Sequence, residues 1–274
     1  SGNGFTWRIV LKETDIHRAA QILLDCRLNG ETVSKLPVSC RPHNEVEAYL
    51  VQDVLHDYIS GTSFGPVVGH KIGCTTPVMQ NFLGINNPCA GSVLASTAQI
   101  QDGNFVHRNY SHVGVECEIA VRLDAALGGE GAFYDAKAVS QSVAEVMAAI
   151  EIVDDRYEDY KSLGPPTLIA DDFFDAGCVL GEAGENWQSL DLENVVGLMR
   201  INGTEVGRGK GWDIMEHPMN ALAWLANLFS SRGKYLESGQ FVLLGSVVET
   251  KWVAEGDTVE IEIEGLGGAT AKFC

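Results

Sequence analysis

The sequence predicts an α+β fold in which a helical N-terminal region, residues 1–64, precedes a β-rich region, residues 65–274. Three observations support this prediction. Apolar residues recur at helical spacing in the first region, and after Pro66 short apolar stretches are joined by glycine-rich turns. Strands and helices do not alternate regularly in the later part, as a doubly wound parallel sheet would require. We therefore expect a mixed or antiparallel sheet within one continuous domain.

Two helices are predicted in the first region. The first is capped by Thr14 or Asp15 and ends near Asn29–Gly30, because short polar side chains accept the free N–H groups of a first helical turn. The second runs from about Asn44 to Ser60, where apolar side chains repeat every three or four positions. This second helix therefore presents one stripe for burial.

The elements after Pro66 begin with a strand, Val67–Gly73, and a short helix, Pro77–Leu83, which Gly84 ends. Further along, the spacing of apolar residues predicts a helix over Ala136–Ala149 that leads directly into a strand, Ala149–Val153. The remaining predicted elements are a strand at Val196–Ile201, a helix at Asn220–Ser231, a strand at Gln240–Gly245 and a hairpin of Thr258–Ile263 with Ala269–Phe273.

The composition argues against some classes of partner. The 19 basic and 37 acidic residues give a formal net charge of −18 at pH 7, which disfavours nucleic acid or an anionic membrane surface. No apolar run approaches the ~20 residues of a membrane span, and the N-terminus lacks a signal-peptide pattern. The cysteines are scattered without a C-x-x-C pair, as in proteins of a reducing compartment. We therefore expect a cytoplasmic protein.

Two glutamates share one face of an apolar strand. In the stretch Val113–Val121 alternate residues are apolar, so Glu116 and Glu118 point to the same side. Two like charges on one strand face repel each other unless a cation lies between them. A solvated strand face with two ordinary glutamates is the alternative explanation.

A third acid favours the cation. Glu151 lies within Ala149–Val153, where a single carboxylate again enters a segment that should be buried. Hard divalent ions such as Mg²⁺ and Mn²⁺ bind oxygen ligands and leave positions for water or substrate. The three acids Glu116, Glu118 and Glu151 therefore predict a divalent-metal site.

Lys71 is the candidate acid or base. It lies within Val67–Gly73, a strand that should be at least half buried, and desolvation lowers the pKa of a lysine towards a useful range. A lysine that reaches out of an edge strand is the alternative. Asp171 and Asp172 could face a cleft, although two acids in a turn are common.

Several segments occur together in one order: Gly69–Gly73, Val115–Ala120, Ala149–Val153 with Arg156, Pro218–Asn227, Leu244–Ser246 and Gly265–Gly268. This set resembles the 2-keto-4-pentenoate hydratase family, which also contains 4-oxalocrotonate decarboxylases and is part of the fumarylacetoacetate hydrolase superfamily. The resemblance extends from the first predicted helix to the end of the chain.

The resemblance implies a mixed β-roll with a helical N-terminal region, assembled into homo-oligomers. It implies Mg²⁺ or Mn²⁺ held by acids that match Glu116, Glu118 and Glu151, and an active-site lysine that matches Lys71. The implied substrate is a small 2-oxo or 2-hydroxy acid, of the 2-hydroxy-2,4-dienoate type from aromatic-ring catabolism. The candidate substrate-binding residues are His70, Cys89, Phe174 and Ser246.

Two departures from the family pattern concern the catalytic site. Cys89 stands where the family has an acid paired with the lysine, so we expect the pKa of Lys71 to fall unless Asp172 approaches from another wall. Asp172 is therefore the second candidate catalytic residue. Phe173 and Phe174 replace small side chains, so we also expect a smaller or reshaped pocket.

The predicted activity is metal-dependent hydration of such an acid, which is a lyase reaction. Decarboxylation of a 2-oxo acid resembling 4-oxalocrotonate is the alternative on the same scaffold. A different class of function is a diverged, metal-binding but inactive partner of a homologous subunit, which the changes at Cys89 and Asp172 suggest.

Overall fold

The computed structural model describes residues 10–184 and 186–274. Residues 1–9 of the predicted helical region therefore lie outside the described residues. In the described part of the chain, no helix is long and apolar enough to cross a membrane.

Two helices come first, α1 (Glu13–Asn29) and α2 (Glu45–Ile59), so both predicted helices are present. The predicted cap at Thr14 or Asp15 is wrong, because the helix already begins at Glu13 and its N-cap, Lys12, makes no side-chain cap hydrogen bond. The helix α1 ends where Gly30 takes a left-handed φ of 65°, which glycine adopts without steric cost. The helix α2 begins where the Asn44 side chain accepts the Glu47 N–H. The later helices are α3 (Pro77–Leu83), α4 (Ala136–Ser140), α5 (Tyr160–Leu163), α6 (Pro165–Ala170) and α7 (Pro218–Ser231).

Fourteen strands are present in the described chain. Those of the first half are β1 (Val67–Gly73), β2 (Cys89–Leu94), β3 (Ala98–Ile100), β4 (Asp102–Phe105), β5 (Val113–Leu123), β6 (Leu127–Gly128) and β7 (Val143–Asp154). Those of the second half are β8 (Asp175–Ala183), β9 (Val196–Ile201), β10 (Thr204–Lys210), β11 (Tyr235–Leu236), β12 (Phe241–Trp252), β13 (Thr258–Ile263) and β14 (Gly267–Phe273).

The largest sheet has seven strands in the order β2-β1-β12-β5-β7-β8-β3. Its β1–β12 and β3–β8 pairs are parallel, whereas its other neighbouring strands are antiparallel. A five-stranded sheet, β10-β9-β13-β14-β4, and a two-stranded sheet, β11-β6, complete the set among the described residues. The predicted α+β fold with a mixed sheet is confirmed.

The segment after α4 is a strand and not the continuation of a helix. The prediction of one helix over Ala136–Ala149 is wrong, because the helix ends at Ser140 and β7 begins at Val143. The strand β7 lies between β5 and β8, and every residue from Val146 to Asp154 is buried. A strand buried on both faces is apolar throughout, so it lacks the alternation that identifies a half-buried strand.

The N-terminal helices dock against the β-rich part of the chain. Leu23 of α1 and Leu55 of α2 are completely buried in the main core. Arg27, near the end of α1, donates to the carboxylates of Asp171 and Asp172, in the turn between α6 and β8. The predicted boundary at residue 64 falls in the connection between α2 and β1, and the division into two regions stays a prediction.

Candidate active site

Three glutamates from two neighbouring strands converge near the centre of the seven-stranded sheet. Glu116 and Glu118 lie two residues apart on β5, and Glu151 of β7 is the register partner of Glu116. One carboxylate oxygen from each residue lies within 4.8 Å of the other two. Glu118 and Glu151 are each only 1% exposed. The fold therefore brings together the three acids that the sequence pattern singles out.

Some of these buried carboxylate oxygens lack a donor. Glu118 Oε2 accepts the Gly245 N–H at 2.7 Å, and the Thr250 hydroxyl donates to Glu116 Oε1. Glu118 Oε1 accepts no hydrogen bond from any described residue. A buried anionic oxygen is unfavourable unless it is paired, and carboxylate oxygens are preferred ligands of hard divalent ions. The three carboxylates therefore fit the ligand preference of a divalent metal ion.

Burial and mutual repulsion raise the pKa values of these acids. Burial, and then the Glu151 carboxylate, raises the pKa of Glu116 to about 7. Burial, followed by Glu151 and Glu116, raises the pKa of Glu118 well above its ordinary value. A nearby cation favours the charged forms and opposes these shifts. The cluster is thus unfavourable for the fold by itself and favourable for binding a cation.

Lys71 of β1 approaches the same cluster and is 2% exposed. Its Nζ lies 2.8 Å from Glu151 Oε1, a distance typical of an ion pair, although the angles do not meet those of a hydrogen bond. Burial lowers the pKa of Lys71, but the Glu151 and Glu116 carboxylates outweigh burial, so this pKa is raised. The expected fall in the pKa of Lys71 is therefore wrong, because Glu151 pairs with the lysine that has lost the family's usual acid.

A cavity of about 430 Å³ opens beside Lys71 and Glu116. Two of the four candidate substrate-binding residues, Phe174 and Ser246, line it. Phe173 also lines it, with its ring centre 5.3 Å from Lys71 Nζ, so the aromatic side chains shape the pocket without filling it. The remaining wall is largely apolar and includes Met79, Leu83, Val153, Tyr160 and Trp252.

Asp172 does not approach Lys71. Its Oδ1 lies 2.7 Å from His56 Nε2 and accepts the Ser92 N–H at 3.0 Å, while its Oδ2 accepts from Arg27 at 3.0 Å. It is not among the described residues that line the cavity. Burial raises the pKa of Asp172, but His56 and Arg27 outweigh burial and hold this pKa well below its usual range. The expectation of a catalytic Asp172 is therefore corrected, because structural partners occupy both carboxylate oxygens.

His70 and Cys89 also lie away from the cavity. Strand alternation turns His70 to the opposite face from the lysine, where its ring nitrogens lie 3.0 Å from Ser92 Oγ and 3.1 Å from Gln240 Oε1. Cys89 is completely buried opposite Gly73 in the β1–β2 ladder. Neither belongs to the part of the described chain that lines the cavity, so their expected contact with substrate is corrected.

Three cavity residues, Thr250, Trp252 and Asp155, do not stand out in the sequence. Residues an even number of positions apart on a strand point to the same face. Thr250 and Trp252 are therefore expected on the face of Ser246 in β12, and Asp155 on the face of Glu151. This signal is weak in β12, because its register with β5 shifts at several points. A bulge interrupts the alternation on which such an argument depends.

Comparison with known proteins gives a consistent set of relatives. A family model described as fumarylacetoacetate (FAA) hydrolase C-terminal matches residues 87–273. The 4-oxalocrotonate decarboxylase of Pseudomonas putida is 31% identical over 208 residues, which are 76% of this chain and 77% of the relative. The 2-keto-4-pentenoate hydratase of Burkholderia vietnamiensis is 31% identical over 262 residues, which are 95% of this chain and 98% of the relative.

A solved structure shows the same fold over nearly the whole chain. The 4-oxalocrotonate decarboxylase from Pseudomonas putida G7, complexed with magnesium and adipate, has a TM-score of 0.89 and 26% sequence identity to this chain. The match covers 97% of this chain and all of the other. The N-terminal helices and the sheets of this chain are therefore arranged as they are in the decarboxylase structure.

Proposed function

The chain belongs to the fumarylacetoacetate hydrolase family, and from this membership we propose that it is a divalent-metal-dependent lyase that hydrates a small 2-hydroxy-2,4-dienoate. Such an acid, and the 2-oxo-alkenoate that it forms, belongs to the catabolism of aromatic compounds. The observation that carries the proposal is the convergence of Glu116, Glu118, Glu151 and Lys71 at one cavity. The 31% identity to a 2-keto-4-pentenoate hydratase supports it.

We propose that Glu116, Glu118 and Glu151 hold Mg²⁺ or Mn²⁺. The three donors are all carboxylates, which suit hard ions that keep some coordination positions for water and substrate. The similar decarboxylase structure contains magnesium, which supports this choice. When bound, such an ion supplies Lewis-acid polarisation to the carboxylate and 2-oxygen of the substrate.

The proposed role of Lys71 is to move the proton that converts the dienol into the reactive ketone. In this step the 2-hydroxyl of the substrate loses a proton and carbon 5 gains one, with Lys71 Nζ as the carrier. Water then adds at carbon 4, and carbon 3 takes the second proton. The apolar wall beside Lys71 lowers the polarity around the reacting atoms, which strengthens the electrostatic interactions in the cavity.

The test is turnover of 2-hydroxypenta-2,4-dienoate by the purified chain, followed by loss of the dienol absorbance with and without Mn²⁺. We expect metal-dependent hydration that falls on the order of 10²-fold or more in the Glu151→Gln variant. Glu145→Gln is the matched control, because Glu145 lies on the same strand but pairs at the surface with Arg122. Equal loss in both variants, or no turnover by the parent chain, would contradict the proposal.

Decarboxylation is the second candidate, because one 4-oxalocrotonate decarboxylase is 31% identical over 208 residues and the solved decarboxylase structure has a similar fold at 26% identity. The same cavity would then stabilise the enolate that forms when a 2-oxo acid loses CO₂. Measuring CO₂ release from 4-oxalocrotonate beside dienol hydration decides between the two reactions. Hydration without CO₂ release supports the first proposal, and the reverse result replaces it.

We further propose that the working form is a cytoplasmic homo-oligomer that binds a small 2-oxo or 2-hydroxy acid. The family resemblance supports the assembly, and the seven free cysteines suit a reducing compartment. Sedimentation at the mass of the 29.6 kDa chain would contradict the assembly. Activity that arises only after a homologous subunit is added would favour the inactive-partner alternative.

A further inference from the structure

The cavity extends from the metal-binding acids along the directions of β12, β5 and β7. Trp252 is the register partner of Gly114, and Gly114 is the register partner of Val153. A Cβ atom on Gly114 would lie only 2.8 Å from the Trp252 indole, so the ring lies across the space that a side chain would occupy. Trp252 and Val153 thus form an apolar surface one step beyond the level of Glu116 and Glu151.

An acid stands at the far end of this surface. Asp155 lines the cavity, and its Oδ1 is buried without a hydrogen-bond partner among the described residues. Asp155 follows Glu151 by four positions of extended chain, which places the two Cα atoms about 13 Å apart. His112 lies beside it, stacked on Trp252 with ring centres 4.0 Å apart. The partly buried carboxylate of Asp155 therefore has acceptor capacity left, which a hydrogen-bond donor on a ligand in the cavity can use.

Burial raises the pKa of Asp155 more than the Tyr157 N–H and His112 lower it. Asp155 is the charged lining residue at this end of the cavity, whereas Glu249 and Asp213 line it closer to the level of Glu116 and Glu118. Lys71, at the metal-binding end, is the one cation among the described lining residues. A second carboxylate at the far end of a ligand would therefore meet the like charge of Asp155, with no lining cation beside it to offset the repulsion.

We propose that the substrate is a monocarboxylic 2-hydroxydienoate whose apolar chain extends over Trp252 and Val153. The far end of this chain carries a hydrogen-bond donor to Asp155. This inference rests on the proposed function for the chemistry at the metal-binding end. It assigns Asp155 as a specificity-determining residue. It also makes a dicarboxylic acid of the same length a poor ligand, which separates this chain from a protein that accepts adipate or 4-oxalocrotonate.

Binding of unreactive 2-oxo acids to the Mn²⁺-loaded protein tests the far end without any turnover. Calorimetry compares 7-hydroxy-2-oxoheptanoate with 2-oxooctanoate, which has a methyl group in place of the hydroxyl, and with 2-oxoheptanedioate. We expect the hydroxy acid to bind about 10-fold more tightly than the methyl analogue, as a hydrogen bond to a charged acceptor predicts. The dicarboxylate should bind the most weakly of the three.

The Asp155→Leu variant should lose the preference for the hydroxy acid. The more conservative Asp155→Asn variant keeps the shape of the side chain and should bind the dicarboxylate about 10-fold more tightly than the parent does. Glu145→Gln is the matched control, because it removes one acidic charge from the same strand as Glu151 at a position that pairs with Arg122 outside the cavity. This control should keep the parent's order of the three ligands.

Two outcomes separate this inference from the proposed function. Equal binding of the hydroxy acid and the methyl analogue to the parent protein overturns the subsite, even if dienoates are hydrated. Tighter binding of the hydroxy acid that is lost in the Asp155→Leu variant supports the subsite, even if no dienoate is hydrated. In that case the reaction is reassigned and the recognition of the far end stands.

Discussion

Lys71 and Glu151 form an ion pair whose side chains are 3% and 1% exposed, so water compensates neither charge well. Two charges taken out of water are expensive to bury, and their attraction repays this only with further partners. The attraction between the two charges therefore roughly offsets the free-energy cost of removing them from water, and the pair adds little to stability. Its location beside Glu116 and the cavity favours a chemical role for Lys71 over a structural one.

The Lys71→Met variant tests this role. Methionine fills a similar volume without a proton to transfer, so we expect the fold and the binding of Mn²⁺ to persist. Activity should fall on the order of 10²-fold or more, mainly in kcat, as for removal of a positioned acid or base. Steady-state kinetics and calorimetry provide the two measurements. Unimpaired turnover would exclude the role, and a variant that fails to fold would make the lysine structural.

His70 predicts an acid-sensitive contribution to stability. Burial lowers the pKa of His70 from 6.5 to about 4. Between these values the unfolded chain binds more protons than the folded chain, so the free energy of unfolding decreases as the pH falls through this window. The expected loss from pH 7 to pH 5 is about 2 kcal/mol.

Urea unfolding of the parent and of the His70→Asn variant at both pH values measures this contribution. The variant lacks the titrating ring, so its unfolding free energy should change by about 2 kcal/mol less than that of the parent over the same interval. Taking the difference cancels the titration of the other buried groups. Equal pH dependence of the two proteins would show that His70 does not titrate in this way.

At the scale of elements, the turn between α6 and β8 is held in an unusual backbone conformation. Asp172, Phe173 and Phe174 have φ values of 58°, 46° and 67°. Residues with a side chain in this left-handed region cost on the order of 1 kcal/mol each or more, so surrounding contacts must maintain them. Arg27 and the Ser92 N–H bind the Asp172 carboxylate and supply such contacts.

The Arg27→Met variant tests whether this anchor stabilises the molecule. Removing one partner leaves buried carboxylates of Asp171 and Asp172 without part of their compensation, and we expect a loss of about 3 kcal/mol in unfolding free energy. The Arg122→Met variant is the control, because Arg122 pairs with a half-exposed Glu145 and should lose less than about 1 kcal/mol. Similar denaturation midpoints for both variants would contradict the prediction.

The sequence predicts elements well where one face is buried and poorly where both faces are. The alternation in β5 and the helical spacing in α2 survive in the structure, and so do the site acids Glu116 and Glu118. The strand β7 is misassigned in part, because burial on both faces removes the alternation. Asp172 is misplaced for a different reason, since its partner Arg27 is 145 residues away in the chain. No local pattern predicts a contact at that separation.

At the scale of the whole molecule, the seven-stranded sheet concentrates negative charge at its centre. Three carboxylates lie within 4.8 Å of one another in a chain of net charge −18, and burial, followed by their mutual repulsion, raises the pKa values of Glu116 and Glu118. The folded state therefore has a strong electrostatic reason to bind a cation, whereas the unfolded chain spreads the same acids apart. A ligand that binds only the folded state stabilises it by mass action.

We therefore expect Mn²⁺ or Mg²⁺ to raise the thermal unfolding temperature and a chelator to lower it. At an ion concentration of 100 times Kd, linkage predicts about 2.7 kcal/mol of added stability, which is several degrees for a chain of this size. Scanning calorimetry with EDTA and then with excess Mn²⁺ measures the shift.

The Glu118→Gln variant should show two changes together. Its unfolding temperature in EDTA should rise above that of the parent, because a buried repulsion is removed. Its gain in unfolding temperature from Mn²⁺ should be smaller, because a metal ligand is lost. Glu145→Gln, on the surface end of β7, should keep the parent's gain. An equal gain from Mn²⁺ in the Glu118→Gln variant and the parent would place the stabilising ion elsewhere on the protein.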